Sequence, residues 1–224
     1  MQLHVSELHQ KLRAVNFEAF IPIIVVGLAI LLITVITFFQ TKKARANLVA
    51  LGDKLGLKLE TEGKYFKKYR LTGLLRGKPV TIFSYTTGSG KSKRTWAAIS
   101  SRPNASGWLT FSLKRRMTIF EFVAKLFRKN SIETGDAAFD KKWVLTTNRP
   151  DFLRMALLPE LREKIMRLSG GSMASGYYKC ELSMVQYAEQ GSFSSEKLCT
   201  RFGELAGLVC DLAAMVEVGA ELQK

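Results

Sequence analysis

Between Ala19 and Phe39 the chain runs for 21 residues without a charge, AFIPIIVVGLAILLITVITFF. At about 1.5 Å per residue a helix of that length is roughly 31 Å long, which matches the hydrocarbon core of a bilayer. The stretch is apolar all round, which helices buried in soluble proteins rarely are over six turns. A transmembrane helix over 19–39 is therefore the first expected element. Pro22 falls in its expected first turn, where a missing N–H costs little. The 18 residues ahead of the stretch and its length argue for an anchor that stays in place, not a cleaved signal peptide.

On either side the pattern changes. In segment 1–18, Val5, Leu8, Leu12 and Val15 recur at helical spacing behind Ser6, which predicts a short amphipathic helix. In 40–56, Ala44, Leu48, Leu51 and Leu55 share one helical face and Gly56 follows as a stop. From residue 57 the period falls towards two. Strands are expected at Tyr69–Leu75, Pro79–Thr86, Arg94–Ser101 and Gly107–Lys114. Arg76-Gly77 suits a two-residue hairpin, and two Gly/Ser/Pro-rich loops supply the other connections, so a four-strand antiparallel meander is the simplest arrangement. A capping box at Thr118–Glu121 opens a helix to about Arg128. Further on, the spacing predicts a strand at Trp143–Thr147 and helices at Pro150–Leu157 and Pro159–Leu168. Two strands follow at Gly176–Leu182 and Met184–Glu189, then a long helix over Ser194–Leu222. This predicts an α+β domain over 57–224 behind a single membrane helix. Four strands, then three, then a helix also resembles a pleckstrin-homology-like barrel with inserted helices.

Charge adds direction. The chain has 34 Lys+Arg against 19 Asp+Glu, a net +15. That excess is not spread evenly: residues 40–130 hold 21 basic and 4 acidic side chains, while 131–224 hold 11 and 13. Two basic residues, Lys11 and Arg13, precede the apolar stretch, and five follow it within 20 residues: Lys42, Lys43, Arg45, Lys54 and Lys58. Basic flanks stay on the cytoplasmic side, so the N-terminus is expected outside and the C-terminal domain in the cytoplasm. Three cysteines, Cys180, Cys199 and Cys210, with no paired spacing suit a reducing compartment. Within the basic half, Lys64-Tyr-Phe-Lys67-Lys68-Tyr-Arg70 and Lys91–Trp96 interleave aromatics with cations. Such mixtures suit anionic headgroups and also single-stranded nucleic acid. The adjacent anchor favours lipid, with Lys42, Lys43, Arg45, Lys67, Lys68 and Arg70 as the expected contacts.

Catalytic signals are few. Gly88-Ser-Gly-Lys91-Ser92 has the end of a phosphate-binding loop, but Tyr85 stands where its first glycine belongs and a strand, not a helix, follows. Residues 40–224 contain no histidine, which removes Ser-His-Asp and Cys-His catalysis and His-based metal sites there. Asp136 and Asp140 sit four apart beside Gly135, suited either to a polar ligand or to a turn and cap anchored by Phe139. No metal site, cofactor or catalytic residue is assigned. One span without an ionisable residue also argues against a transporter.

The phrases Thr134-Gly-Asp136, Phe139-Asp140, Trp143-Val-Leu and Leu157-Leu-Pro-Glu160-Leu, with a long C-terminal helix, resemble uncharacterised bacterial inner-membrane proteins. Those have an N-terminal membrane helix and a cytosolic domain of unknown function. The resemblance implies a bacterial inner-membrane protein and a soluble α+β domain, and it carries no activity; the single uncharged run adds the expectation of a single pass. The expected function is a membrane-tethered basic binding or scaffold module for anionic lipid or a partner protein. The alternatives are a nucleotide- or polar-ligand-binding enzyme using loop 88–92 or 134–140, and a membrane tether for nucleic acid.

Overall fold

The computed structural model describes residues 17–63, 68–105, 107–116, 131–169 and 176–223. The chain divides into two compact units, 1–43 and 44–224. The amphipathic segment expected ahead of residue 17, the capping-box helix from Thr118 and Lys67 lie outside the described residues.

Helix α1 spans Phe17–Leu55 and contains a stretch long and apolar enough to cross a membrane. Its large side chains from Ile21 to Phe39 are exposed. The hydroxyls of Thr34, Thr37 and Thr41 donate to the carbonyls of Ile30, Thr34 and Thr37 at 2.8–2.9 Å, so these polar groups are satisfied within the helix. Pro22 lies inside the helix, one turn later than the sequence suggests, because the helix starts at Phe17. The helix expected over 40–56 is the end of this same element, and from Ala44 it belongs to the second unit. Leu48 and Leu51 enter that unit's core. Gly56, with φ +69°, ends the helix, and the Leu57 N–H donates back to the Gly52 carbonyl at 2.9 Å.

The second unit is α+β. Among the described residues it contains one antiparallel sheet of nine strands: β1 Lys58–Glu62, β2 Lys68–Leu75, β3 Lys78–Thr87, β4 Arg94–Ser101, β5 Phe111–Arg115, β6 Ser131–Ile132, β7 Trp143–Thr147, β8 Tyr177–Glu181 and β9 Met184–Gln190. Helices α2 Ala137–Lys142, α3 Pro150–Ala156, α4 Pro159–Leu168 and α5 Glu196–Glu221 complete it. Strand order is β1-β2-β3-β4-β9-β8-β5-β7-β6. The expected meander holds through β4 only. β9 takes the free edge of β4, and β5 pairs instead with β7 and β8. The four-then-three chain order of the pleckstrin-homology comparison is therefore not the observed order. The reason is local. Arg76-Gly77, with φ of 52° and 75°, makes a tight turn that fixes β2 against β3, whereas the link from Ser101 to Phe111 is long and contains Pro103.

Alternation sorts the strands into two faces. One row crosses the sheet through Leu71, Ile82, Ile99, Tyr187, Tyr178, Leu113 and Leu145, all buried. Helix α5 packs on β2, β3, β4 and β9, and α4 packs on α5. The last helix, expected from sequence, buries one apolar stripe: Leu198, Phe202, Leu205, Leu208 and Leu212 all enter the core. Its start is capped by Ser195, whose hydroxyl accepts from the Leu198 N–H.

Candidate functional site

The other face of the sheet carries the next row in register: Arg70, Phe83, Ala98, Ala188, Tyr177, Lys114 and Val144. Small residues hold its middle, and aromatics close over them. Phe83 lies 6.0 Å from Tyr85, Tyr85 stacks on Trp96 at 6.3 Å, and Trp96 meets Tyr177 edge-on at 5.8 Å. The Tyr85 and Tyr177 hydroxyls are 2.9 Å apart. Burial, and then the bond to Tyr177, pushes the Tyr85 phenol well above its usual range, so it remains protonated. All four rings stay partly open, and Ala98 and Ala188 beneath them are buried outside the main core.

Beyond Tyr177 this face opens into a groove of about 750 Å³ lined by Ser112, Lys114, Thr146, Lys179 and Glu181, among others. Lys179 is 3.3 Å from Glu181. Among the described residues no carboxylate pairs with Lys114, and the Ser112 hydroxyl has no partner. Asn148 and Thr147 at one end are spent on structure: the Asn148 side chain accepts from the Thr110 N–H and donates to the Trp108 carbonyl, and Thr147 donates to the Thr110 carbonyl. These groove residues were not singled out by sequence. The period-two polar pattern Ser112–Lys114 and Tyr177–Lys179 was a signal, but the pairing of β5 with β8 that joins them was not readable.

The lipid contacts expected from sequence divide. Lys42, Lys43 and Arg45 are exposed on α1, and Lys68 is exposed on β2. Arg70 is already engaged, 2.8 Å from both Glu60 and Glu62 of β1. The Thr72 hydroxyl, and then Arg70, holds the Glu60 carboxyl below its usual range, so both members of the pair are charged at neutral pH. Two further cations of the basic segment pair with helix α5: Arg76 with Asp211 at 2.7 Å, and Lys78 with Glu217. The excess of residues 40–130 is thus partly neutralised by the acidic half of the chain.

The two loops proposed for polar ligands take structural roles. Asp136 caps α2, accepting from the N–H groups of Ala138 and Phe139 at 3.1 Å, and lies 3.4 Å from Arg162. Asp140 accepts from the Thr134 N–H and hydroxyl and from the Gly135 N–H. Both carboxylates are used, and Phe139 is the buried anchor. The turn-and-cap alternative therefore describes 134–140. Loop 88–92 is an exposed hairpin tip with one short 3-10 turn, Gly90–Ser92, leading straight into β4. It lacks the helix whose N-terminus would hold phosphate.

Two other features lay beyond the reach of sequence. Glu189, 2% exposed, sits on the core face of β9 and is ion-paired with Arg201 of α5. It also accepts a hydrogen bond from the Tyr187 hydroxyl at 2.7 Å. Separately, a groove of about 640 Å³ between α3, α4 and the second half of α5 is lined by Phe152, Met155, Leu158, Leu161, Met215 and Val218, among others. The three cysteines are free and buried. Burial pushes the Cys180 and Cys199 thiols up to about 11, so neither is a nucleophile at neutral pH.

No protein-family model matches the chain, and no curated protein does. Among solved structures it is similar to the crystal structure of the mycobacterial trehalose monomycolate transport factor A, TtfA. The TM-score is 0.48 and the identity 11%, over 79% of this chain and 95% of that one. A likeness at that level carries no functional argument.

Proposed function

We propose that this chain is a single-pass, membrane-tethered binding or scaffold module. Its N-terminus lies outside the bacterial inner membrane, its domain lies in the cytoplasm, and it has no catalytic activity of its own. The observation that carries the reading is the composition of α1. An exposed apolar stretch from Ile21 to Phe39 is followed within a few residues by the exposed cations Lys42, Lys43 and Arg45, which straddle the start of a folded unit at Ala44. Cations placed there meet an anionic leaflet, each worth about 1 kcal/mol near its surface. Lys68 extends the same chemistry on β2, while Arg70 is left out because Glu60 and Glu62 hold it. The apolar groove beside Met155 and Val218 supports the scaffold part of the reading.

Fragment 40–224 is expected to float with phosphatidylglycerol-containing vesicles, to stay behind with phosphatidylcholine vesicles, and to release at high salt. Reversing three charges (Lys42→Glu, Lys43→Glu, Arg45→Glu) should weaken that binding by about 100-fold or more, on the basis of roughly 1 kcal/mol per cation. Equal binding to both vesicle types, or to neither, removes the lipid reading. Orientation has its own test. A Gln2→Cys variant should label with a membrane-impermeant thiol reagent in intact cells, against a low background because the three native thiols are buried. Labelling only after lysis reverses the topology.

A further inference from the structure

We propose that the groove on the open face of the sheet, between β5, β7 and β8, binds a phosphate ester through Lys114, Lys179 and Ser112. The site is made of sheet residues alone and includes none of the juxtamembrane cations.

The register brings the donors together. Ser112 lies opposite Lys179, and Lys114 lies opposite Tyr177. Lys114 and Lys179 are therefore diagonal neighbours on adjacent strands, roughly 7–8 Å apart at their backbones. The Lys179–Glu181 contact, at 3.3 Å between open side chains, is a weak surface pair that Lys179 can leave, so the flexible stems can bring both ammonium groups onto one phosphate. Ser112 stands between them on the same face, with a hydroxyl that has no partner among the described residues.

Charge decides the sign of the ligand. The groove has two ammonium groups and one carboxylate, Glu181, and that carboxylate is taken by Lys179. Among the described residues lining the groove, Lys114 is the cation without a carboxylate partner. Lys114 is left over beside a cavity, and an anion is what completes it. The groove, about 750 Å³, leaves room beside a phosphate for the rest of an ester. Ser112 and Thr146 give the lining hydroxyls, and the wall is the Tyr177 ring backed by Tyr85 and Trp96. That surface suits a hydroxylated group on the phosphate, such as glycerol or a sugar. The phosphate ester could come from a soluble metabolite or from a lipid headgroup.

The test uses the full chain in phosphatidylcholine nanodiscs, titrated calorimetrically with glycerol 3-phosphate and with glycerol. In a second arm the same nanodiscs are mixed with phosphatidylglycerol vesicles. Saturable binding is expected for the phosphate and none for glycerol. Lys114→Ala should weaken it about 10-fold or more, because a charge-assisted bond to phosphate is lost. Lys91→Ala, which removes the same charge from the exposed hairpin tip, should change it less than about 2-fold, as expected for a screened surface charge. Lys114→Met keeps the aliphatic stem and should behave as Lys114→Ala, which separates loss of the ammonium from loss of packing. Lys114-dependent binding in the vesicle arm alone identifies the source as a lipid headgroup. Absence of binding in both arms overturns the proposal, and so does equal weakening by Lys114→Ala and Lys91→Ala. Charge reversal at Lys42, Lys43 and Arg45 should leave the glycerol 3-phosphate titration unchanged, so failure of either reading is distinguishable from failure of the other.

Discussion

Replacing Glu189 with Ala is expected to cost about 3–5 kcal/mol, the cost of removing one partner from a buried ion pair. Glu189 joins the centre of the sheet to the first turns of α5 through Arg201, and the Tyr187 hydroxyl donates to its second oxygen. Loss of the carboxylate strands two groups at once. Arg201 keeps its charge in a partly buried position, where its Nε already lacks a partner. The Tyr187 hydroxyl, packed so close to Gly176 that a Cβ there would lie 2.6 Å from it, loses its acceptor. Arg201→Ala should be similarly harmful, because it leaves the buried Glu189 side chain with one neutral donor. The double change Glu189→Leu with Arg201→Met should recover most of the loss, since apolar replacement of a whole buried pair is often neutral or stabilising. Urea unfolding of fragment 44–224 followed by circular dichroism measures all three. Losses under about 1 kcal/mol for both single variants would show that water reaches the pair and that it does not hold α5 to the sheet.

The same pair shows what sequence could and could not supply. Glu189 ends a strand that alternation identifies, and Arg201 lies on a helix that its apolar stripe identifies. Each reads as a surface charge until the packing of α5 on β9 is known. The elements themselves were legible wherever the signal is local. The uncharged run, the Arg76-Gly77 turn, the prolines that open α3 and α4, and the stripe of α5 are each contained within a single element or turn. Strand β1 was missed because Lys-Leu-Glu-Thr-Glu offers only Leu59 to the core, as an edge strand can. That omission had a consequence for the site. Glu60 and Glu62 lie on β1, opposite Arg70 and Lys68, so without β1 Arg70 looked free. The groove was hidden for a related reason. Its donors lie on β5 and β8, far apart in sequence, and only the non-local order β9-β8-β5-β7 sets them side by side. Loop 134–140 was the opposite case: a short capping motif gave two defensible readings, and hydrogen bonds from Thr134, Gly135, Ala138 and Phe139 decide for the cap.

Where the chain is cut ahead of the domain should decide whether the domain folds. Sequence pattern alone sets a boundary at residue 57, with a separate helix at 40–56. In the structure the turns from Ala44 to Leu55 are part of the compact unit. Leu48 and Leu51 are buried in its core, Leu55 packs against it, and Asn47 donates to the Phe193 carbonyl at 2.8 Å. Burial of one leucine is worth about 1.5–3 kcal/mol and a hydrogen bond about 0.5–1.5 kcal/mol. Fragment 57–224 therefore forgoes about 3–7 kcal/mol relative to fragment 44–224. Small domains are stable by only about 5–15 kcal/mol in total, so that loss takes most or all of the margin. Fragment 44–224 is expected to be monomeric, to unfold cooperatively and to need no detergent, because the exposed apolar side chains from Ile21 to Phe39 are gone. Fragment 57–224 should aggregate or unfold at least about 10 °C lower, as several kcal/mol implies for a domain of this size. The variant Leu48→Ala, Leu51→Ala in fragment 44–224 separates lost packing from lost length, and should reproduce most of the defect at about 2–5 kcal/mol per residue. Equal melting of the two fragments would mean that the last turns of α1 are only a linker. Unequal melting makes them the base on which the domain is built, so that anchor and core are read from one continuous helix.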